Sequence, residues 1–79
     1  MIKYYTYLLF TERNTFYCGY TDNVEKRFKA HVEGKGAKYT RANKPIKIVY
    51  CKEFENKIDA LKEERRIKKL THQEKMDLI

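Results

Sequence analysis

The chain is 79 residues long, with 18 Lys and Arg against 11 Asp and Glu, a formal net charge of +7 and a pI near 9.5. That length caps it at one domain, residues 1–79, with a thin core. The charge selects a polyanionic partner, usually nucleic acid. No apolar run reaches membrane length and no charged-then-apolar leader opens the chain, so no membrane role and a cytoplasmic location are expected.

The first elements to be read are the arms of a β-hairpin, Tyr4 to Phe10 and Phe16 to Tyr20, both aromatic and β-branched in character, around the polar run Thr11-Glu12-Arg13-Asn14-Thr15. Tyr7 and Tyr17 are equidistant from Glu12. A turn centred there sets the two phenols directly opposite on one face, whereas an even-numbered loop sets them on opposite faces. Cys18 and Cys51 have no metal-ligand spacing and are expected as reduced thiols packed in strands.

Asp22 and Asn23 offer N-caps, so a helix is predicted over Val24 to Val32, with Val24, Phe28 and Val32 forming one stripe. Arg27 and His31 lie beside each other along its edge, where an arginine can reach over the core towards the sheet. Gly34 stops the helix. The connection to Pro45 carries Lys35, Lys38, Arg41 and Lys44 at every third position, with Tyr39 among them and no acid. Residues 23–45 hold seven basic and two acidic side chains, a concentration that favours a phosphate-binding surface over a solvated loop.

Ile46 to Phe54 predicts a third strand, with Ile46, Ile48 and Tyr50 alternating with Lys47, Val49 and Cys51. A helix follows from Lys57 to Leu70, turning Ile58, Ala60, Leu61, Ile67 and Leu70 to the core. Glu64 falls within that apolar stripe and Glu63 nearer its edge. A carboxylate so placed needs a cation such as Lys68 or Arg65, or a metal. Thr71-His72-Gln73-Glu74 has the form of a capping box and starts a short last helix, with His72 exposed and without a role. The order β-β-α-β-α-α is an α+β layer.

These residues in this order resemble the GIY-YIG nuclease superfamily, in its small stand-alone bacterial form. Tyr5-Thr6-Tyr7 stands at the first motif, keeping its terminal tyrosine. Tyr17-Cys18-Gly19 stands at the second, keeping tyrosine and glycine. Arg27 falls at the family's helix arginine, His31 one turn later, and Glu64 at its metal-binding glutamate. The run from Gly34 to Arg41 is similar to one typical of the subfamily. Tyr5, Thr6 and Cys18 depart from the motifs at positions that shape the strands, and no Asn follows Asn56, where many members have one.

The resemblance implies a three-stranded antiparallel sheet flanked by helices. It also implies an endonuclease that hydrolyses phosphodiesters in DNA with low sequence specificity. Glu64 would hold a single Mg²⁺ or Mn²⁺ and Arg27 would brace the phosphate. Tyr7, Tyr17 or His31 would serve as base, while Lys35, Lys38, Tyr39, Arg41 and Lys44 would bind nucleic acid. A tyrosine base has about 4 kcal/mol to make up at neutral pH, which Arg27 and a metal would have to supply; His31 starts closer. The alternative is a binding module that keeps the fold without turnover.

Overall fold

A computed structural model describes residues 2–79. The elements are β1 (Tyr4–Thr11), β2 (Phe16–Thr21), α1 (Val24–Val32), α2 (Lys38–Ala42), β3 (Pro45–Phe54), α3 (Lys57–Lys68) and α4 (His72–Met76). The fold is α+β: a three-stranded antiparallel sheet in the order β2-β1-β3 with helices against it. The five-residue α2 lies within what the sequence reads as an irregular connection, so the order is β-β-α-α-β-α-α.

β1 is the central strand, and Thr6, Tyr7, Leu8 and Leu9 in succession are buried on one face or the other. Burying each leucine is worth roughly 1.5–3 kcal/mol. The turn is a three-residue loop with Asn14 at φ 60°, which the short polar side chain of asparagine tolerates. Buried Thr11 pins it, its Oγ1 lying 2.6 Å from Thr15 Oγ1 and accepting from the backbone N–H of Arg13 and Thr15. The loop centres on Arg13, one residue later than Glu12. Tyr7 therefore pairs with Gly19 and Leu9 with Tyr17, and the two phenols share a face diagonally rather than directly across.

The sheet's other face carries Leu8, Phe16 and Cys18 against Ile67 of α3, with Phe10, Val49, Tyr50 and Leu78 around them. Thr6 is buried there because its hydroxyl donates to the Ala60 carbonyl at 2.7 Å. The expected alternation along β3 breaks between Leu8 and Leu9, which pair with Tyr50 and Ile48. Val49 is bulged, so Ile48 and Tyr50 face opposite sides of the sheet. Ile46 is 56% exposed at a second irregularity, between Lys47 and Pro45.

α1 begins at Asn23, whose side chain accepts from Lys26 N, and ends with Gly34 N donating to His31 O and Lys35 N to Ala30 O. His31 is fully buried while Val32 is exposed, so the inward stripe runs through Phe28 and His31. Ile58, expected in the core, is 66% exposed on the first turn of α3. Cys18 is buried, but Cys51 is exposed on edge strand β3. α4 carries the expected capping box, and exposed His72 packs its ring against Phe16. Among the described residues no helix is long and apolar enough to cross a membrane.

Candidate active site

The face of the sheet opposite the apolar core is where polar chemistry gathers. Tyr7 rises from the central strand and Tyr17 from the edge strand, with Gly19 between them. A Cβ at Gly19 would come within 2.6 Å of the Tyr7 hydroxyl and 3.3 Å of the Tyr17 ring. Glycine at this position lets the Tyr7 phenol lie flat across β2. The α1 helix then sets His31 above both rings, with centroids 5.9 Å from Tyr7 and 5.0 Å from Tyr17.

The Tyr7 hydroxyl and His31 Nε2 are 2.9 Å apart. On the far side of the imidazole, Nδ1 lies 2.7 Å from the Thr40 hydroxyl oxygen. Tyr7, His31 and Thr40 are each at most 2% exposed, so the chain from phenol through ring to hydroxyl runs out of water. Gly36 passes directly beneath the imidazole. A Cβ there would approach Cε1 to 2.7 Å and Cγ to 2.8 Å, and Nδ1 more closely still.

Burial pushes the Tyr7 phenol up to about 12, against the pull of the Arg27 guanidinium beside it. Burial, with Arg27 second, holds His31 below its ordinary value of 6.5. Both groups are therefore neutral at pH 7, with Arg27 the standing charge next to them. Arg27 is exposed, and lines a surface depression with Thr21, Asp22, Asn23, Lys26 and Ala30.

The basic connection adjoins this cluster. Tyr39 on α2 stacks on Tyr17 at a centroid distance of 6.0 Å and an interplanar angle of 25°, leaving Tyr39 itself 40% exposed. Lys38 and Arg41 on α2, and Lys35 and Lys44 on either side, are exposed. No ion pair among the described residues uses any of these four cations.

Glu64 stands apart from the tyrosines. It lies on α3, over the other face, where its carbonyl receives a long contact from Cys18 Sγ at 3.9 Å. Its carboxylate, on a side chain only 14% exposed, pairs with Lys68 at 3.1 Å. Burial, with Glu64 nearby, pushes the Cys18 thiol up to about 12, so it stays protonated. Glu63 is fully engaged: Arg66 donates to both of its oxygens at 2.7 and 2.8 Å, and Tyr50 donates at 2.7 Å. Those bonds hold its carboxyl down to about 2.

The structure thus brings together Tyr7, Tyr17, Arg27, His31 and Tyr39, and sets Glu64 on a helix across the sheet. Sequence reasoning did not single out Thr40 or Gly36. Their one signal is position: both fall in the Gly34 to Arg41 run, without a chemical type that marks a site.

A family model described as the GIY-YIG catalytic domain matches residues 3–77. A UPF0213 protein of Limosilactobacillus reuteri is 49% identical over 75 residues, 92% of this chain and 78% of its own. Another, of Clostridium perfringens, is 51% identical over 95% of this chain and 81% of its own. The solution NMR structure of the UPF0213 protein of Bacillus halodurans matches with a TM-score of 0.61 at 38% identity, over 98% of this chain and 82% of that one. A protein of E. faecalis matches with a TM-score of 0.63 at 37% identity, over 95% of this chain and 80% of its own.

Proposed function

The chain belongs to the GIY-YIG catalytic domain family, whose domain is of the nuclease type, and on that footing we propose that it is a divalent-metal-dependent endonuclease hydrolysing DNA phosphodiesters with low sequence specificity. The observation that carries this reading is the buried Tyr7–His31 contact with Arg27 beside it. Phosphodiester hydrolysis needs a proton acceptor for the attacking water and a cation at the non-bridging oxygens. Arg27 offers its guanidinium from an open depression, in the form suited to a two-pronged grip on phosphate.

Proton acceptance divides between Tyr7 and His31. With the phenol at about 12, a standing Tyr7 phenolate costs about 7 kcal/mol at pH 7. Neutral His31, directly behind the phenol, removes that need. The proton of the attacking water is taken up by the Tyr7–His31 pair, whose shared hydrogen at 2.9 Å either group can carry. Tyr17 packs the other side of the imidazole and holds Tyr39 towards solvent. Lys35, Lys38, Arg41 and Lys44 follow the phosphate backbone, which carries no sequence information of its own.

Glu64 is the residue that would hold the ion. Among the described residues no group of three or more His, Cys, Asp or Glu side chains forms a ligand cluster. Glu64 supplies one carboxylate, held by Lys68 and set on a helix across the sheet from Arg27, so water and substrate phosphate would have to complete the ion's shell. When bound, Mg²⁺ or Mn²⁺ would polarise the phosphate oxygen and acidify water. The Glu64–Lys68 pair also favours a second reading, a nucleic-acid-binding module without turnover.

The two are separated by incubating purified protein with duplex, single-stranded and branched DNA and with RNA, in Mg²⁺ or Mn²⁺ and in chelator. Cleavage of DNA that chelator abolishes is the expected result. Binding without cleavage on every substrate rejects the nuclease reading.

A further inference from the structure

Of the seven tyrosines and four phenylalanines in the chain, Tyr39 alone is exposed, at 40%. A ring left in water forfeits a large hydrophobic gain. The anchoring of α2 does not call for it. That anchor is the next residue, Thr40, which is 2% exposed and has its hydroxyl 2.7 Å from His31 Nδ1 and 2.9 Å from the Ala37 carbonyl oxygen.

The Tyr39 ring lies on Tyr17, at 6.0 Å and 25°, and Tyr17 lies on His31 at 5.0 Å. Two rings therefore back it. One face is turned to Tyr17, so the exposure that remains is on the other face and the edge. Around it stand Lys38 and Arg41 on the same helix and Lys35 and Lys44 on either side, all exposed. No ion pair among the described residues uses any of the four. Cations meet phosphates, which duplex and single strand both offer. A flat ring meets the face of a base, which a duplex keeps inside its stack and a single strand leaves open. Free cations alone would serve either form, and the ring among them favours the unpaired one.

We propose that Tyr39 is a stacking platform for an unpaired base, and that the substrate of this site is single-stranded DNA. The cleavage part rests on the nuclease reading above, and the binding part stands without it. The cations of the connection follow the phosphates while the base lies on Tyr39. Tyr17 links the platform to the Tyr7–His31 pair, so a strand seated here runs beside that pair. Every base has a π face, so the platform does not read sequence, in keeping with low specificity.

The test measures binding by fluorescence anisotropy in chelator, so that no cleavage intervenes. The probes are a thymidine strand of about 12 nucleotides, an abasic strand of the same length and charge, and a duplex of that length. The thymidine strand should bind about tenfold or more tighter than the abasic one. Tyr39→Ala should remove that margin and Tyr39→Phe should keep it. The chain has no tryptophan, so Tyr39→Trp places a single reporter on the platform. The thymidine strand should quench its fluorescence and the abasic strand should not. Equal binding of the two strands overturns the proposal, as does a margin that survives Tyr39→Ala or a bound thymidine strand that leaves the Tyr39→Trp reporter unquenched. Where Tyr39→Ala does not fold, the Tyr39→Trp reporter decides. In Mg²⁺ or Mn²⁺, active protein should cut the single strand about tenfold faster than the duplex, and Tyr39→Ala should lose that preference. Protein that cleaves nothing but keeps the margin between strands removes the nuclease reading and leaves the platform standing. Protein that cuts duplex and single strand at equal rates, with no margin between the strands, keeps the nuclease reading and removes the platform.

Discussion

Tyr7 and His31 meet at 2.9 Å through the phenol oxygen and Nε2, and burial moves their proton affinities in opposite directions. The phenol rises to about 12 and the imidazole falls below 6.5. A proton acceptor that must be neutral works above its own pKa. The rate of cleavage should therefore rise with pH through a value below 6.5 and be level by neutrality. Initial rates from about pH 5 to about pH 9 at fixed metal concentration check this. Tyr7→Phe should lower the plateau by about a hundredfold or more. A rate that keeps climbing into alkaline pH would assign the base to the phenolate and reject His31.

The same burial predicts how stability depends on pH. His31 binds protons more weakly in the folded chain than in the unfolded one, so acid favours unfolding. Its contribution is intact above 6.5 and declines below that, down to the depressed folded value. Glu63, bonded to Arg66 and Tyr50, adds a second decline, beginning below 4.5 and complete near 2. Urea midpoints across the acid range should show two descending steps in wild type. Glu63→Gln should keep the first and shrink the second, of which Glu74, held down by its bonds with Thr71, keeps a part. A midpoint that does not change between neutrality and about pH 5 contradicts the buried neutral His31.

The sequence was most readable where one period governs a whole element. α1 has the predicted span, Val24 to Val32, and β3 starts one residue early, at Pro45 rather than Ile46. It was least readable where a single backbone event changes parity. The Val49 bulge reverses the facing of every β3 residue beyond it, and the three-residue turn slides Tyr17 two places from Tyr7. Neither event leaves an apolar period. The five-residue α2 is too short to show one, so Thr40 looked like one more polar loop residue. On α1 the apolar stripe pointed to Val32, yet the adjacent His31 is the buried residue, because Tyr7 and Thr40 satisfy both ring nitrogens. Tyr7, Arg27 and His31 were nameable as a site through the family resemblance, not from their types and spacing alone. That they share one face depended on a register the residues alone left open.

The exposed cations of the connection predict a salt response. Lys35, Lys38 and Arg41 are free of ion pairs among the described residues, so each can meet a phosphate without first giving up a partner. Replacing the three by Ala should weaken binding evenly across sequences. It should also reduce the slope of log K against log salt by about 0.9 per lost contact on duplex or about 0.7 on single strands. Fluorescence anisotropy at several salt concentrations measures it. An unchanged slope means these side chains touch no phosphate.

Glu63 and Glu64 are neighbours with different ties, and that difference separates a structural carboxylate from one available to an ion. Glu63 has both oxygens committed to Arg66 and one also to Tyr50. Glu63→Gln breaks charge-assisted bonds at a largely covered site and should cost about 1–2 kcal/mol, discounted for the exposure of Arg66. Glu64 has only Lys68, whose side chain is 54% exposed. Removing the Glu64 charge leaves no buried cation behind, since Lys68 turns to water. Glu64→Gln should therefore shift stability by no more than about 0.5 kcal/mol, keep nucleic-acid binding and abolish metal-dependent cleavage. Thermal melts and cleavage assays on the two variants read both effects at once. If Glu64→Gln still cleaves, the ion is held elsewhere and Glu64 is an ordinary ion-pair residue. If Glu64→Gln melts as early as Glu63→Gln, the Lys68 pair is structural, and the binding-module reading gains what the nuclease reading loses.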